Sequence, residues 1–262
     1  MAGTVFAPFT KHSLRKGWNK ALKILEDLIS ALDLNASVRD IRQGVFHTAV
    51  LSRHCGLAAT LPRDALKQEP PLVMEPGTLL SRGVQEVVGL ARSERILEAA
   101  IGMAAINSLI QVDEAACVEL NAADLILEKG EGRRVAVVGH FPFLSRVREK
   151  AETLWVIEKN PKKGDLEEAE ADEVIPQADV VALTGTSLTN HTLKHLLTLC
   201  DPKAYVLMLG DTVPLSPVLF DYGVHALSGT KVVDVDLALA CVSQGANFRQ
   251  IRGTKRLTMF KR

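Results

Sequence analysis

The chain has 262 residues, enough for two modest domains, and its 47% hydrophobic and 24% charged residues are ordinary for a globular protein. Lys and Arg number 31, and Asp and Glu also number 31, so the formal net charge is zero. This balance disfavours nucleic-acid binding and a polybasic membrane patch, because both need a surplus of cations.

The N-terminal residues and the cysteines predict a cytoplasmic protein. No long apolar core follows the first charges, as a signal peptide would require, and no run approaches the length of about 18 apolar residues that a membrane span needs. The four cysteines are far apart and form no Cys-x-x-Cys pair, so neither a zinc site nor a disulfide framework is indicated. We expect reduced thiols, with Cys117, Cys200 and Cys241 in the core.

The first half of the chain predicts an α+β arrangement. Apolar residues recur at three- and four-residue steps over residues 14–32, which predicts an amphipathic helix. The Val-, Thr- and Leu-rich stretch 39–60 predicts short antiparallel strands, with Gly44 and Gly56 as breaks. A proline-rich stretch over 62–77 predicts a loop.

Two further helices complete the first half. Residues 93–109, with Ser93 as the N-cap, predict a helix whose small central residues indicate close packing against a neighbour. Gly102 in its centre costs about 1 kcal/mol of helix propensity relative to alanine, which suggests that packing requires it. A shorter helix is predicted at 121–129 and ends at Gly130, a candidate C′ residue.

The second half predicts a Rossmann-like domain. Short apolar runs alternate with helical segments, a pattern typical of a parallel sheet covered by helices on both faces. The predicted strands are 134–139, 154–158, 179–184, 204–209 and 224–227, and the predicted helices are 143–151, 190–199, 217–222 and 234–244. We therefore expect an α/β protein with an α+β domain at 1–130 and a Rossmann-like domain at 131–262.

Ligands of open parallel sheets bind beyond the carboxyl ends of the strands, which makes four loops candidate sites. The first, Gly139-His140-Phe141-Pro142, has one glycine where a dinucleotide enzyme carries Gly-x-Gly-x-x-Gly, and this disfavours ordinary NAD or FAD binding. His140 is a candidate ligand or acid/base, or a residue that only hydrogen-bonds the loop. Glu158 follows the second strand, where an acid can bind ribose hydroxyls; the alternative is a surface acid paired with a lysine.

The third loop is the richest in polar residues. Thr184 and Gly185 end a strand, and Thr186, Ser187 and Asn190 crowd the predicted start of a helix. Unpaired backbone N–H groups and the helix dipole favour an anion at such a place. The alternative is that one of these residues caps the helix and the others are merely exposed.

The fourth loop contains Asp211, Thr212 and Pro214. Asp211 is a candidate ligand carboxylate or base, or an acid that stabilises its own turn. Asn107, near the end of the small-residue helix, is a further candidate for ligand binding.

His191 and His195 are four residues apart on the predicted helix 190–199 and could face the same side, a geometry that suits a transition metal. No glutamate of a His-Glu-x-x-His motif accompanies them, so the alternative is two partly exposed histidines.

Five segments, taken in order, resemble a prokaryotic family of uncharacterised proteins described as putative heavy-metal chelation proteins. They are residues 56–60, 102–108, 137–142, 178–190 and 214–217. The resemblance covers nearly the whole chain and implies an enolase-N-terminal-like domain followed by a Rossmann-like domain, with a ligand site in the cleft between them. The chain departs from this family at Asp211. Many relatives have a proline at this position, directly after the glycine of the fourth loop.

Two functions are compatible with these residues. The first is binding of a metal ion or metal chelate, with His140 and Asp211 as direct ligands, Thr186, Ser187 and Asn190 holding an anionic part of the chelator, and Asn107 reaching in from the other domain. It has a weakness, because soft metals prefer thiolates and imidazoles and no cysteine lies in these loops.

The second is an enzyme that holds a nucleotide-like or phosphorylated small molecule in the same cleft. His140 would then be a general acid or base, and a methyltransferase would suit the single-glycine loop better than a dehydrogenase. A third, an accessory protein, is disfavoured by the set of polar strand-end loops. The expected partner is a small-molecule or metal ligand, and a homo-oligomer is compatible with the sequence.

Overall fold

The structure is a computed structural model that describes residues 22–61 and 69–262. The α-helices are α1 (Lys23–Ser30), α2 (Val84–Gly89), α3 (Ile96–Leu109), α4 (Ala122–Gly130), α5 (Leu144–Lys150), α6 (Ala171–Val174), α7 (Thr186–Thr189), α8 (Leu193–Leu199) and α9 (Val235–Ser243). The strands are β1 (Asp40–Gln43), β2 (His47–Leu51), β3 (Cys55–Ala59), β4 (Cys117–Val118), β5 (Arg134–Val138), β6 (Thr153–Ile157), β7 (Val180–Thr184), β8 (Tyr205–Leu209), β9 (Ala226–Val232) and β10 (Thr254–Phe260).

A seven-stranded sheet forms the centre of the second half. Its strand order is β4-β10-β9-β8-β7-β5-β6, with β9, β8, β7, β5 and β6 parallel and the β10 pairings antiparallel. The chain goes from β5 to β6 on one side and then to β7 on the other, so the order reverses between β5 and β7. This mostly parallel sheet, flanked by helices, is consistent with the predicted Rossmann-like α/β fold.

Helices cover both faces of this sheet, and the strand residues alternate between two apolar clusters. In β7, Val180 and Ala182 pack in the cluster that includes α4 and α5. Val181 and Leu183 pack in the cluster that includes α8 and the N-terminal helices. Burial on both faces explains why these strands read as continuous apolar runs in the sequence.

A three-stranded antiparallel sheet, β1-β2-β3, lies between helices α3 and α9. Val50 and Ala58 belong to the cluster that contains α3, whereas Ala49 and Leu57 belong to the cluster that contains α9. Since α9 follows β9 in the chain, this arrangement joins the N-terminal elements to the second half through a shared apolar layer.

Several predicted boundaries needed correction. Gly56 is not a break but lies inside β3, where a Cβ would meet the backbone oxygen of Ala104 at 2.1 Å. Ser93 is not the N-cap of α3, because its hydroxyl donates to buried Glu98 and the N-cap position is Arg95. Gly130 is the last residue of α4 and not its C′ residue. The glycine with a positive φ after this helix is Gly132, at +66°.

Other elements differ in extent. Strand β10 was not predicted, and the expected strand at 224–227 continues to residue 232. The predicted helix at 190–199 begins later, as α8 at Leu193–Leu199, and a separate short helix, α7, precedes it at Thr186–Thr189. Residues 217–222 form a 3₁₀ helix. The first part of the predicted helix at 14–32 lies outside the described residues. Among the described helices, none is both long and apolar enough to cross a membrane.

Helix α3 is buried on nearly every side, as its small residues predict. Its Gly102 meets the 3₁₀ turn Leu90–Arg92, and a Cβ at this position would lie 1.9 Å from the backbone nitrogen of Ala91. Such a contact cannot be relieved by a side-chain rotation, because the nearest atoms to the added Cβ all belong to the backbone of Leu90 and Ala91. Close packing therefore explains this glycine in the middle of a helix.

Gly102→Ala is expected to destabilise the protein by at least about 2 kcal/mol, because the overpacking cost exceeds the gain in helix propensity of about 1 kcal/mol. Gly89→Ala in α2 is the matched control: the nearest atom to its added Cβ is a flexible Arg92 side-chain nitrogen at 3.5 Å. The control should be neutral or slightly stabilising in urea denaturation. Equal effects of the two substitutions would contradict this account of α3.

Candidate functional site

A cleft of about 400 Å³ lies where the strand order reverses, beyond the carboxyl ends of β5, β6 and β7. Ligands of open α/β sheets bind at this position, because the loops on either side of the reversal separate there. Leu61, from the loop after β3, adds a wall from the N-terminal half. We call this opening the switch-point cleft.

The structure places eight of the predicted site residues on the walls of the switch-point cleft. They are Gly139, His140, Phe141, Glu158, Thr184, Thr186, Ser187 and Asn190. The other predicted residues are elsewhere: Pro142 lines a separate opening, and Asn107, Gly185, Asp211, Thr212 and Pro214 are not on the walls of the cleft. The first three loops thus form the cleft, and the fourth loop has a different role.

His140 is held by a carboxylate that sequence analysis did not identify. Its Nδ1 lies 2.9 Å from Oδ2 of Asp165, whose side chain is only 5% exposed. Burial would raise the pKa of Asp165, but the backbone N–H of Lys162 and the ring of His140 outweigh it and hold that pKa below its ordinary value. Because an ionised carboxylate only accepts, Nδ1 carries the proton in this pair, and the ring has its orientation fixed from one side.

Glu158 joins the ends of two neighbouring strands. Its Oε2 accepts a hydrogen bond from the backbone N–H of His140 at 2.9 Å, and its Oε1 accepts from the N–H of Asn160 at 3.4 Å. Each carboxylate oxygen has about two acceptor positions, so both retain acceptor capacity toward the cleft. The carboxylate can therefore fix the first loop and accept from a ligand hydroxyl at the same time.

The first loop passes close to the end of β7. Gly139 has φ of +107°, a conformation that side-chain-bearing residues rarely adopt. A Cβ there would also lie 3.0 Å from the ring of Phe141 and 3.2 Å from the Cβ of Thr184. This glycine serves the turn and the close approach, without the further glycines of a pyrophosphate-binding loop.

Much of the polar character of the third loop is used within the loop. The hydroxyls of Thr184 and Thr186 lie 3.0 Å apart, and Ser187 donates to the backbone oxygen of Thr184 at 2.7 Å. Asn190 accepts from both the N–H and the hydroxyl of Thr192 with its Oδ1, just before α8. The helix expected to supply a dipole at Thr186 is the four-residue α7, which is too short to present a substantial one.

The fourth loop supplies a buried charge to the contact between the two sheets. Oδ2 of Asp211 lies 2.8 Å from Nε2 of His47 on β2, and its Oδ1 accepts from the hydroxyl of Thr230 at 2.6 Å. The Nδ1 of His47 lies 3.1 Å from the backbone oxygen of Ala246. Both partners of the ring can only accept, so both ring nitrogens donate and His47 is an imidazolium.

This pair is almost inaccessible, with side-chain exposures of 5% for His47 and 3% for Asp211. Burial alone would raise the pKa of Asp211, but the hydrogen bond and charge of His47, with support from Thr230, hold it below its ordinary value. The structure therefore does not present Asp211 to the switch-point cleft beside His140.

Asn107 and Thr212 also contribute to the contact between the two halves. Asn107 Nδ2 donates to the backbone oxygens of Leu57 at 2.8 Å and Thr212 at 3.2 Å, and the Thr212 hydroxyl accepts from the N–H of Ala59 at 2.9 Å. Pro214 is buried in the same loop. These contacts hold the fourth loop against β3 and α3.

His191 and His195 do not lie on the same helix in the structure. His191 lies in the turn between α7 and α8 with φ of +63°, and its Nε2 lies 2.8 Å from the backbone oxygen of Ala91. His195 lies on α8 and bonds Asp172 at 2.8 Å. Because His191 precedes the helix, the i, i+4 geometry does not apply.

Within 22–61 and 69–262, no group of three or more His, Cys, Asp or Glu side chains is placed so that it could hold a metal ion. The four cysteines are free, and burial raises the pKa of the Cys55 thiol to about 12 and that of Cys200 to about 11. Thiols with such values remain protonated at neutral pH and are poor metal ligands. The switch-point cleft itself offers one imidazole, two carboxylates, hydroxyls and amides.

Sequence reasoning missed Asp165 and His47. Asp165 lies in an acid- and lysine-rich stretch, where nothing in the residue pattern distinguishes it from its exposed neighbours. His47 was assigned no role, although its place as the one ionisable residue of a buried strand is a signal that a buried partner exists.

Comparisons with known proteins give a consistent result. Two family models, both described as "Putative heavy-metal chelation", match residues 121–261 and 25–110. An uncharacterised protein of Methanocaldococcus jannaschii is 28% identical over 188 residues, which are 69% of this chain and 73% of that protein.

Two solved structures of proteins with unknown function are also similar. The one from Desulfitobacterium hafniense has a TM-score of 0.82 and 27% identity, and the match covers 93% of this chain and all of that chain. The one from Pyrococcus horikoshii has a TM-score of 0.75 and 24% identity, with 93% and 98% covered, and supports the fold alone.

His47→Ala is expected to destabilise the protein by about 3–5 kcal/mol at pH 7, because it leaves Asp211 ionised and buried without its main partner. The control, His54→Ala, removes a ring whose Nε2 bonds Gln111 at the surface, and should cost less than about 1 kcal/mol.

A second substitution, Asp211→Asn in the His47→Ala background, isolates the carboxylate. In wild-type protein the depressed pKa of Asp211 makes its stabilisation full above the unfolded value of about 3.9, and the stabilisation is lost as the pH falls through the folded pKa. Without His47, burial dominates and raises that pKa, so the carboxylate costs most at high pH. We expect the second substitution to restore stability at pH 8 and to restore less at pH 5 in urea titrations. Further destabilisation at pH 8 would contradict the buried-charge account.

Proposed function

Because the chain belongs to the family described as "Putative heavy-metal chelation", we propose that the switch-point cleft binds a metal ion together with an organic chelator, with His140 as the protein's metal ligand. The metal is cargo in this proposal, and the chelator supplies most of its ligands. The proposal refines the family description, which names chelation without naming a site.

The observation that carries the proposal is the pair formed by His140 and Asp165. Histidines that bind metals commonly give their other ring N–H to a carboxylate, which fixes the tautomer and makes the free nitrogen more basic. Here Nδ1 faces Asp165 at 2.9 Å, and Nε2 makes no hydrogen bond to the described residues. The side chain is 32% exposed on the wall of the cleft, so this nitrogen is accessible.

The donor set favours a chelate over a bare ion. One imidazole and neighbouring oxygen groups do not complete a transition-metal site, and the described residues offer no group of three or more His, Cys, Asp or Glu. A volume of about 400 Å³ lies within the range of small-molecule sites. Lys162, Thr186 and Asn190 can hold anionic or hydroxyl groups of an organic chelator, and Glu158 can accept from its hydroxyls.

A second candidate function is supported by the position of Glu158. Glu158 lies just after the second parallel strand and beside the first loop. The acid that binds ribose hydroxyls in nucleotide-binding folds occupies the same position. In that case the cleft would hold a nucleotide-like or phosphorylated molecule, and His140, oriented by Asp165, would be a general acid or base, as in a methyltransferase-type enzyme. The single-glycine first loop continues to disfavour classical NAD or FAD.

The family resemblance also supports two structural proposals. We propose that the N-terminal elements, with their three-stranded antiparallel sheet and helix α3, form an enolase-N-terminal-like domain, and that the elements after residue 130 complete the Rossmann-like domain. Strand β4 and helix α4, which precede residue 131, are part of the layer built on the seven-stranded sheet.

Native mass spectrometry of untagged protein, purified without added chelators and compared with its denatured mass, tests the proposal. We expect an adduct that contains a metal ion and an organic molecule and is lost on denaturation. His140→Ala should abolish it, and Asp165→Asn should lower metal affinity by about 10- to 100-fold, as loss of an orienting partner does. His195→Ala is the matched control, because it removes a histidine that also pairs with a carboxylate but lies outside the cleft.

The two functions predict different effects of the same variant. If His140→Ala retains an organic adduct with no metal and loses a turnover that the wild-type protein has, the enzyme candidate is supported and chelation is wrong. If a metal adduct survives both His140→Ala and Asp165→Asn unchanged, His140 is not the ligand and the proposal fails.

A further inference from the structure

We propose that a second cleft binds a small aromatic anion, meaning a flat ring that carries a phosphate or carboxylate group. This second cleft has a volume of about 260 Å³ and lies between the start of α4, the end of β8, the middle of β9 and β10, and the loop 246–250. Its location on the side of α4 and α5 differs from that of the switch-point cleft, which is lined by α8. Phe141 lies between the two and lines both.

The walls of the second cleft carry positive charge. Three arginines, Arg146, Arg249 and Arg256, line it, and none of the described residues on its walls is acidic. In a chain whose net charge is zero, a concave surface with three cations and no carboxylate is a local excess of positive charge. Clefts of one sign concentrate ligands of the opposite sign.

Two nearby carboxylates reduce this charge only in part. Asp124 pairs with Arg146 at 3.1 Å, in an exposed ion pair that water screens. Asp211 lies 3.8 Å from Arg256, but its charge is already matched by the His47 imidazolium at 2.8 Å. Arg256 therefore keeps most of its capacity to bind an anion.

Aromatic rings also line the second cleft. The guanidinium of Arg256 stacks over the ring of Phe248, with its Cζ 4.1 Å from the ring centroid. This stacking and a hydrogen bond from Nη2 to the backbone oxygen of Phe248 at 3.4 Å hold the planar guanidinium, and its remaining N–H groups are left to bind a phosphate or carboxylate. Phe248 is 42% exposed, and Phe141 and Phe143, which also line the cleft, stack on each other with centroids 5.3 Å apart.

The size of the cleft limits the ligand. A volume of about 260 Å³ is just below the range of about 300–1,000 Å³ for drug-sized ligands, which favours a single ring with one anionic group over a dinucleotide. Apolar residues, including Leu209 and Leu257, form the remaining floor and suit a flat apolar body. The arginines give the site its charge, and the phenylalanines give it its shape.

Phenyl phosphate is the probe that tests the proposal, with isothermal titration and ligand-observed saturation-transfer NMR as the measurements. We expect phenyl phosphate to bind more tightly than inorganic phosphate, which lacks the ring, and than phenol, which lacks the charge. Benzoate carries a carboxylate in place of the phosphate. Whichever of the two aromatic anions binds more tightly identifies the anionic group that the second cleft prefers. Failure of both to bind would overturn the proposal.

Arg249→Gln is the principal variant, because Arg249 is exposed and its loss is compatible with folding. It should weaken binding of phenyl phosphate by about tenfold or more, the usual effect of losing a hydrogen bond to a charged group. Arg252→Gln is the matched control: it makes the same charge change nearby in the chain but does not line the cleft. Phe248→Leu should weaken binding of phenyl phosphate more than binding of inorganic phosphate, because both lose the stacked position of Arg256 but only phenyl phosphate also loses a ring contact.

His140→Ala separates this proposal from the proposed function, because it alters the switch-point cleft only. We expect it to leave phenyl phosphate binding unchanged. If Arg249→Gln and Arg252→Gln weaken the probe equally, binding follows net charge and the second cleft is not a site. If His140→Ala abolishes it, the probe occupies the switch-point cleft instead.

Discussion

The buried ion pair between His47 and Asp211 is the interaction on which the joining of the two sheets depends. One charge comes from β2 of the three-stranded sheet and the other from the loop after β8, and both are almost fully excluded from water. Burial of a charge is costly unless the partner is present and the remaining hydrogen bonds are made, and here Thr230 and Ala246 complete the set. The pair therefore permits one relative position of β2 and the fourth loop and penalises others.

This constraint divides the strand-end loops by role. The fourth loop is committed to the contact between the halves, with Asp211 bound to His47 and Thr212 bound to β3 and Asn107. The first three loops instead line the switch-point cleft, although His191 in the third loop also bonds the backbone oxygen of Ala91 in the N-terminal half. A proline after the glycine could not supply the carboxylate that His47 requires, so the aspartate at position 211 has a structural explanation in this chain.

The parallel strands could be predicted because burial on both faces leaves a continuous apolar run, as in β7. Strand β10 could not, since its Lys255 and Arg256 interrupt the apolar pattern and its pairing is antiparallel. The cleft residues of the first three loops followed from the rule that ligands bind beyond strand ends. What the sequence could not provide was the partner of each side chain: Asp165 and His47 are identified only when distant segments come together, 25 and 164 residues away from the groups they bond.

The first loop differs from the corresponding loop of a dinucleotide-binding fold. A dinucleotide site needs several glycines so that backbone can approach a pyrophosphate. Here one glycine makes the turn, and the space beside it is filled by the ring of Phe141, which would lie 3.0 Å from a Cβ at Gly139. That ring separates the switch-point cleft from the second cleft, while His140, the preceding residue, is turned toward Asp165. An imidazole and an aromatic wall therefore stand where a dinucleotide-binding loop has phosphate-binding backbone, and the space beyond the strand ends is divided into two clefts of about 400 and 260 Å³ with different linings.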